Sequence, residues 1–138
     1  MGRGVYLIQN QSELDDYLAL TDVAYIQEYL PVDRDIRVVV IGQRIVHSYW
    51  RVAAQNEFRS NLALGGSICL DPVPREALEL AERTARSCSW DDVGIDICRH
   101  AGRYYVFEAN MKYGKEGFRQ AGIDYIHLME VMIQNEEI

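Results

Sequence analysis

The apolar positions of this chain change their spacing from block to block, and the changes divide it into short elements. Residues 5–9 form a brief apolar run behind a Gly-x-Gly and predict a strand. Ser12 then reads as a helix N-cap with Asp15 three residues on, and Leu14, Tyr17 and Leu18 make one stripe at helical spacing. Residues 23–30 predict a second strand, stopped by Pro31, which offers no N–H to a ladder; residues 32–34 read as a polar turn. Residues 35–41 and 44–53 predict two strands joined by Gly42-Gln43, a two-residue hairpin signal. Both parities of these strands are apolar, as in a sheet covered on both faces. A polar loop follows over 54–61. Pro74 opens a helix running to about Ser87, with Ala77, Leu78, Ala81, Ala85 and Cys88 on one side and Glu76 and Glu79 near the amino end. Residues 93–99 and 103–109 predict a second hairpin, and 110–120 a Gly- and charge-rich loop. A last helix over 125–134 is capped by Asp124 and presents Tyr125, Leu128, Met129 and Met132. This order predicts an α+β domain with a largely antiparallel sheet and flanking helices.

With 138 residues and 49% of them apolar, the chain suits one buried core. Fourteen Lys and Arg against 21 Asp and Glu give a net charge of −7, which repels phosphate backbones and argues against a nucleic-acid partner. Cys69, Cys88 and Cys98 form no CxxC and have no His at metal-ligand spacing, so they read as reduced, half-buried small residues. No run approaches the ~18 apolar residues of a membrane span, and no signal peptide is visible at the start. Cytoplasm is the expected compartment, with no membrane partner. Trp50, Trp90, Tyr104, Tyr105 and the methionines are expected in the core or at its edge.

The candidate chemistry lies in the second hairpin, Gly94-Ile95-Asp96-Ile97-Cys98 and Arg103-Tyr104-Tyr105-Val106-Phe107-Glu108-Ala109-Asn110. A three-residue loop, His100-Ala101-Gly102, would pair Arg99 with Arg103 and set Asp96 opposite Val106. Side chains alternate with period two, so Asp96, Glu108 and Asn110 then share one face, with Asp96 and Glu108 diagonal neighbours. Three oxygen donors converging there suit Mg2+, which also keeps waters and phosphates in its shell. An unaccompanied carboxylate pair would be costly, since each disfavours ionisation of the other. The bland alternative is that Asp96 and Glu108 face solvent at a strand edge and Asn110 merely begins a loop.

Gln27-Glu28-Tyr29-Leu30, Asp35-Ile36-Arg37, Phe58-Arg59-Ser60-Asn61, Gly65-Gly66, Gly94-Ile95-Asp96 and Glu108-Ala109-Asn110 stand in one order along the chain. In that order they resemble the ATP-grasp ligases, and within them the RimK-like enzymes that add glutamate to ribosomal protein S6. The resemblance implies a role for each. Gly2 and Gly4 would end the glycine-rich loop over the phosphates, where a side chain would block backbone approach. Glu28 and Tyr29 would meet the adenine edge, and Asp35 the ribose hydroxyls. Arg59, Ser60 and Asn61 would form the phosphate segment, with Arg59 the catalytic grip on phosphoryl oxygens. Asp96, Glu108 and Asn110 would hold two Mg2+ ions, or Mn2+ in their place. Taken singly, Glu28 could be an exposed strand residue, Asp35 and Arg37 a surface pair, Arg59 a solvated loop cation and Gly65-Gly66 a plain turn.

The family's two phosphate-binding lysines have no counterpart here, since the only lysines are Lys112 and Lys115. After Glu-x-Asn the family turns through small residues and proline; here the chain runs Met111-Lys112-Tyr113-Gly114-Lys115-Glu116-Gly117-Phe118. A Gly-x-Gly leading straight into a strand also points to a missing strand before it. The expectation is that residues 1–138 are a partial ATP-grasp domain, starting within the glycine-rich loop. The implied activity is carboxylate–amine ligation through an acyl phosphate. Its partners would be ATP, a carboxylate such as a protein or peptide C-terminus, and an amine such as an amino acid, with homo-oligomerisation left open. The fragment alone would be inactive or nearly so. The competing reading is a non-catalytic nucleotide- or partner-binding module derived from the same domain; a metal-dependent hydrolase using the same carboxylates is a weaker third.

Overall fold

The computed structural model describes residues 5–54 and 65–138. These fall into two compact units, one spanning Met1–Pro31 and the other Val32–Ile138. In the first unit the described regular element is α1, Gln11–Leu18. Its N-cap is Asn10, whose side chain accepts from the Glu13 N–H at 3.1 Å, rather than Ser12. Glu13 closes the cap by accepting from the Gln9 N–H at 2.7 Å, a reciprocal arrangement that satisfies two orphan amide donors. The strands expected over 5–9 and 23–30 are absent from the described residues. Val5, Tyr6, Val23, Tyr25 and Ile26 are instead exposed, so the apolar runs that suggested strands bury little.

The second unit is built on a five-stranded antiparallel sheet in the order β3-β2-β1-β4-β5. Its strands are β1 (Arg34–Ile41), β2 (Arg44–Val52), β3 (Ser67–Cys69), β4 (Asp92–His100) and β5 (Arg103–Asn110). The short edge strand β3 and a five-residue helix, α3 (Glu116–Gln120), were not anticipated; α3 falls within the expected 110–120 loop. The first hairpin turns at Gly42-Gln43 as expected, with Gly42 at φ 61°.

Two helices of this unit lie where the spacing put them. In α2 (Arg75–Ser87), Ala77, Ala81 and Ala85 are buried against Ile36, Val38, Val40, Val93, Ile95 and Ile97. Small residues every fourth position let the helix lie close on the β-branched sheet surface. Cys88, expected on that stripe, is exposed. In α4 (Tyr125–Gln134) the Asp124 carboxylate accepts from the Ile126 and His127 N–H groups, and Met132 is buried. Tyr125, Leu128 and Met129 pack beside it on Val39, Ile41, Tyr113 and Phe118.

The sheet is therefore covered on both faces, one by α2 and the other in part by α3 and α4. Trp50 joins the first core, and Trp90 and Tyr104 pack at its margin, as expected. Tyr105 and Met111, by contrast, are exposed.

Candidate functional site

The second face of the sheet divides in two. Toward the carboxy end of β1 it is apolar, with Val39 and Ile41 under the α3–α4 layer. Toward the amino end of β1 it carries Asp35 and Arg37, opposite Arg51 and Tyr49 of β2. Arg37 in turn faces Asp96 of β4, and Asp96 faces Glu108 of β5, while Asn110 lies opposite Gly94. Asp96, Glu108 and Asn110 thus share one face. The bland alternative holds only in part: Glu108 is exposed on the edge strand β5, but Asp96 lies on an inner strand at 0% exposure. Asp35 and Arg37 are not a surface pair either, being buried at 1% and 6%.

The route to that face differs from the expected register. The hairpin turns on two residues, Ala101 and Gly102, both at positive φ, and His100 pairs with Arg103. A register shift then opposes Ile97 to Val106 and Asp96 to Glu108, leaving Phe107 as the extra residue of a bulge. Asp96 and Glu108 are therefore direct partners rather than diagonal neighbours. The first hairpin carries a similar shift, between Val39 and Val40.

A network of charges fills this half of the face. Arg37 donates to both oxygens of Asp96, through Nε to Oδ1 and through Nη2 to Oδ2 at 3.0 Å. Arg51 Nη2 lies 2.8 Å from Asp96 Oδ2 and also donates to Asp35 Oδ2 at 2.9 Å, while its Nε donates to Asp35 Oδ1 at 2.7 Å. Burial opposes the charge of Arg51, but the hydrogen bonds and field of Asp35 and Asp96 outweigh it and hold the guanidinium above its ordinary range. Burial and the neighbouring Asp96 carboxylate push the Glu108 carboxyl above its ordinary value of 4.5. The hydrogen bond from Asn110 and the fields of Arg37 and Arg51 act the other way. Every buried side-chain polar atom among the described residues has a partner.

The loop after Asn110 packs against this region. The Tyr113 hydroxyl donates to Asp92 Oδ1 at 2.6 Å, and Lys115 Nζ sits 3.7 Å and 3.5 Å from the ring centroids of Tyr113 and Tyr125. Close backbone approach is built in at two glycines. A Cβ on Gly94 would crowd Arg37 Nη1 and Tyr113 at 3.0 Å, and one on Gly117 would fall into the Tyr49 ring.

Glu28 and Tyr29 belong to the first unit and are exposed. Gly2, Gly4, Arg59, Ser60 and Asn61 lie outside the described residues. Arg51 and Tyr49 were missed by sequence reasoning. The one available signal was a charged residue within β2, and the register shift in that strand hid which face it would take.

Among the described residues no three His, Cys, Asp or Glu side chains gather as a metal cluster. The acidic donors that meet are two, Asp96 and Glu108, with the Asn110 amide hydrogen-bonded to Glu108 as a third oxygen source. Hard oxygen donors on one face are of the chemical kind that Mg2+ takes.

Comparison with known proteins identifies the family. Ribosomal protein bS6–L-glutamate ligase of Escherichia fergusonii is 33% identical over 130 residues, covering 89% of this chain and 43% of the relative. A probable alpha-L-glutamate ligase of Alkalilimnicola ehrlichii is 35% identical over 126 residues, covering 87% and 42%. The chain thus spans less than half the length of these relatives. Among solved structures, D-alanine–D-alanine ligase from Bacillus anthracis complexed with ATP superposes with TM-score 0.60 at 17% identity, over 92% of this chain and 47% of that one. The ATP-grasp ligase PsnB complexed with minimal precursor, Mg, and ADP gives TM-score 0.57 at 23% identity, over 76% and 34%. Those two likenesses establish the α+β ATP-grasp fold. No described helix is long and apolar enough to cross a membrane. A family model described as the RimK-like ATP-grasp domain matches residues 1–133, and the chain belongs to that family.

Proposed function

We propose that these residues form the carboxy-terminal part of the catalytic domain of an ATP-dependent carboxylate–amine ligase. The observation that carries this is the convergence of Asp96, Glu108 and Asn110 on one face of the sheet. In this reading a substrate carboxylate attacks the γ-phosphate of ATP, giving ADP and an acyl phosphate. An amine then displaces phosphate and forms an amide. The relatives' names suggest an L-glutamate-type amine and a protein or peptide acid. Localisation is assigned to the cytoplasm, where ATP is supplied.

Bound Mg2+, as one or two ions or as Mn2+, would neutralise charge on the transferring phosphoryl group. Asp96, Glu108 and Asn110 would hold it. Arg59 would grip the phosphoryl oxygens, with Ser60 and Asn61 on the neighbouring phosphates and Gly2 and Gly4 closing over them. Glu28 and Tyr29 would meet the adenine. Asp35 would meet the ribose hydroxyls. No covalent enzyme intermediate is needed, so the side chains orient and stabilise rather than attack.

The test is a nucleotide titration of the full-length protein with and without Mg2+, repeated on Glu108→Ala. Magnesium-dependent binding and ATP turnover with an acid and an amine, both lost in the variant, are expected. Binding indifferent to Mg2+ in both proteins would point to a non-catalytic module. ATP hydrolysis that ignores the amine would point to a hydrolase. The 138 residues alone are expected to show little or no ligation.

A further inference from the structure

The two arginines of the site, Arg37 buried and Arg51 partly so, are held differently. Arg51 is gripped by two carboxylates, both oxygens of Asp35 and one of Asp96. Arg37 makes its ion pair with Asp96 among the described residues, and it reaches both oxygens of that one carboxylate. Asp96 therefore has each oxygen engaged by a guanidinium, although it is also a residue assigned to a divalent cation. A divalent cation that takes an Asp96 oxygen stands at short range from the guanidiniums already there, and its two charges weaken their hold on the carboxylate.

The face carries Asp35, Asp96 and Glu108 against Arg37 and Arg51, a formal sum of −1. Adding a divalent ion turns the sum to +1, and the most weakly tethered cation is the one to yield. That cation is Arg37. Its guanidinium lies against Gly94, where a side chain would crowd both it and Tyr113. Arg51 stays anchored through Asp35.

We propose that Arg37 is an exchangeable counter-ion of Asp96: it occupies the carboxylate until a divalent cation binds, and the cation displaces it. The residue thereby positions Asp96 and sets the threshold for metal entry. Its displaced guanidinium turns toward whatever anion arrives with the ion. This inference rests on the assignment of Asp96 and Glu108 as metal-holding residues, and its test separates the two.

The experiment uses the full-length protein with Mn2+ or Mg2+ alone, by calorimetry at fixed pH and by NMR with arginine labelled in 15N. The Arg37 Nε–H signal is identified by its loss in Arg37→Lys. Expected is a shift of that signal on adding Mg2+, with the midpoint of the binding isotherm, and Mn2+ binding tightened about ten-fold or more in Arg37→Gln. Arg37→Lys keeps the charge but cannot bridge both oxygens, and its gain should be smaller. If Arg37→Gln does not fold, Arg37→Lys and the wild-type NMR titration decide. An Nε–H signal unmoved at saturating Mg2+, or folded Arg37 variants that bind Mn2+ no better than wild type, overturns the exchange. If Glu108→Ala binds Mn2+ as wild type does, the metal assignment itself fails and takes the exchange with it. If Glu108→Ala loses binding while the arginine variants change nothing, the exchange alone fails.

Discussion

Asp96 and Glu108 face each other across one ladder, yet their removal should affect stability in opposite directions. Asp96 is fully buried and accepts from Arg37 and Arg51, so Asp96→Asn leaves guanidinium groups short of a counter-ion inside the protein. Breaking a buried ion pair from one side costs about 3–5 kcal/mol, and the amide oxygen kept by Asn argues for the lower end. Against a total of about 5–15 kcal/mol for a domain, a loss of about 3 kcal/mol should lower Tm by roughly 10 °C. Glu108 lies on the exposed edge strand, and its raised pKa means the folded state holds its proton more tightly than the unfolded chain does. Its contribution to stability is thus present below the ordinary value of 4.5 and lost as pH rises through the folded value. At pH 7.5 the ionised side chain is a small burden, and Glu108→Gln should stabilise by less than about 1 kcal/mol, a gain that disappears toward pH 4. Urea unfolding followed by the fluorescence of Trp50 and Trp90, at pH 7.5 and pH 4 without divalent ions, measures both. If Asp96→Asn proves more stable than wild type, as relief of carboxylate repulsion alone would make it, the arginine network does not hold Asp96.

Two further outcomes can be checked. Gly117→Ala should destabilise by about 1–2 kcal/mol, because overpacking against the buried Tyr49 ring, typically about 1–3 kcal/mol, exceeds the helix-propensity gain of about 1 kcal/mol. The same change in a Tyr49→Ala background should become neutral or favourable, and a loss unchanged there would exclude the ring as its cause. Burial lowers the His47 pKa below 6.5 despite the hydrogen bond to the Gly117 carbonyl, so its NMR titration should have a midpoint under 6.5. The stability it brings is present above 6.5 and lost as pH falls through that depressed midpoint; a midpoint at or above 6.5 would contradict the packing of His47 against Tyr49 and Phe118.

Where burial is periodic, the fold was readable from sequence. The alanine spacing of α2 and the Tyr125, Leu128, Met129 and Met132 set of α4 predicted both helices and the faces they bury. The runs at 5–9 and 23–30 misled because apolar content does not create a strand without a neighbour to pair with. Asp96, Glu108 and Asn110 were placed on one face for a reason that is only partly right. The expected hairpin put one extra residue in the turn; the real one puts it at Phe107 inside β5, and parity comes out the same. No such cancellation helped at Arg51. A strict ladder from Gly42-Gln43 sets Trp50 opposite Asp35, and the shift in β2 brings Arg51 there instead. Bulges leave little trace in residue type, so register was the weakest inference.

The bulge at Phe107 acts as an insulator between the two ends of the β4–β5 hairpin. On its tip side Tyr104 and Val106 look toward α2; past it Glu108 and Asn110 look the other way. Lengthening or shortening the arm around Ala101-Gly102 by a matched pair of residues would therefore extend or trim a surface ribbon, with the carboxylates left at their stations. Deleting Phe107 alone would join the Ile97–Val106 and Asp96–Glu108 pairs into one unbroken ladder, straightening β5 with the acidic pair still opposed.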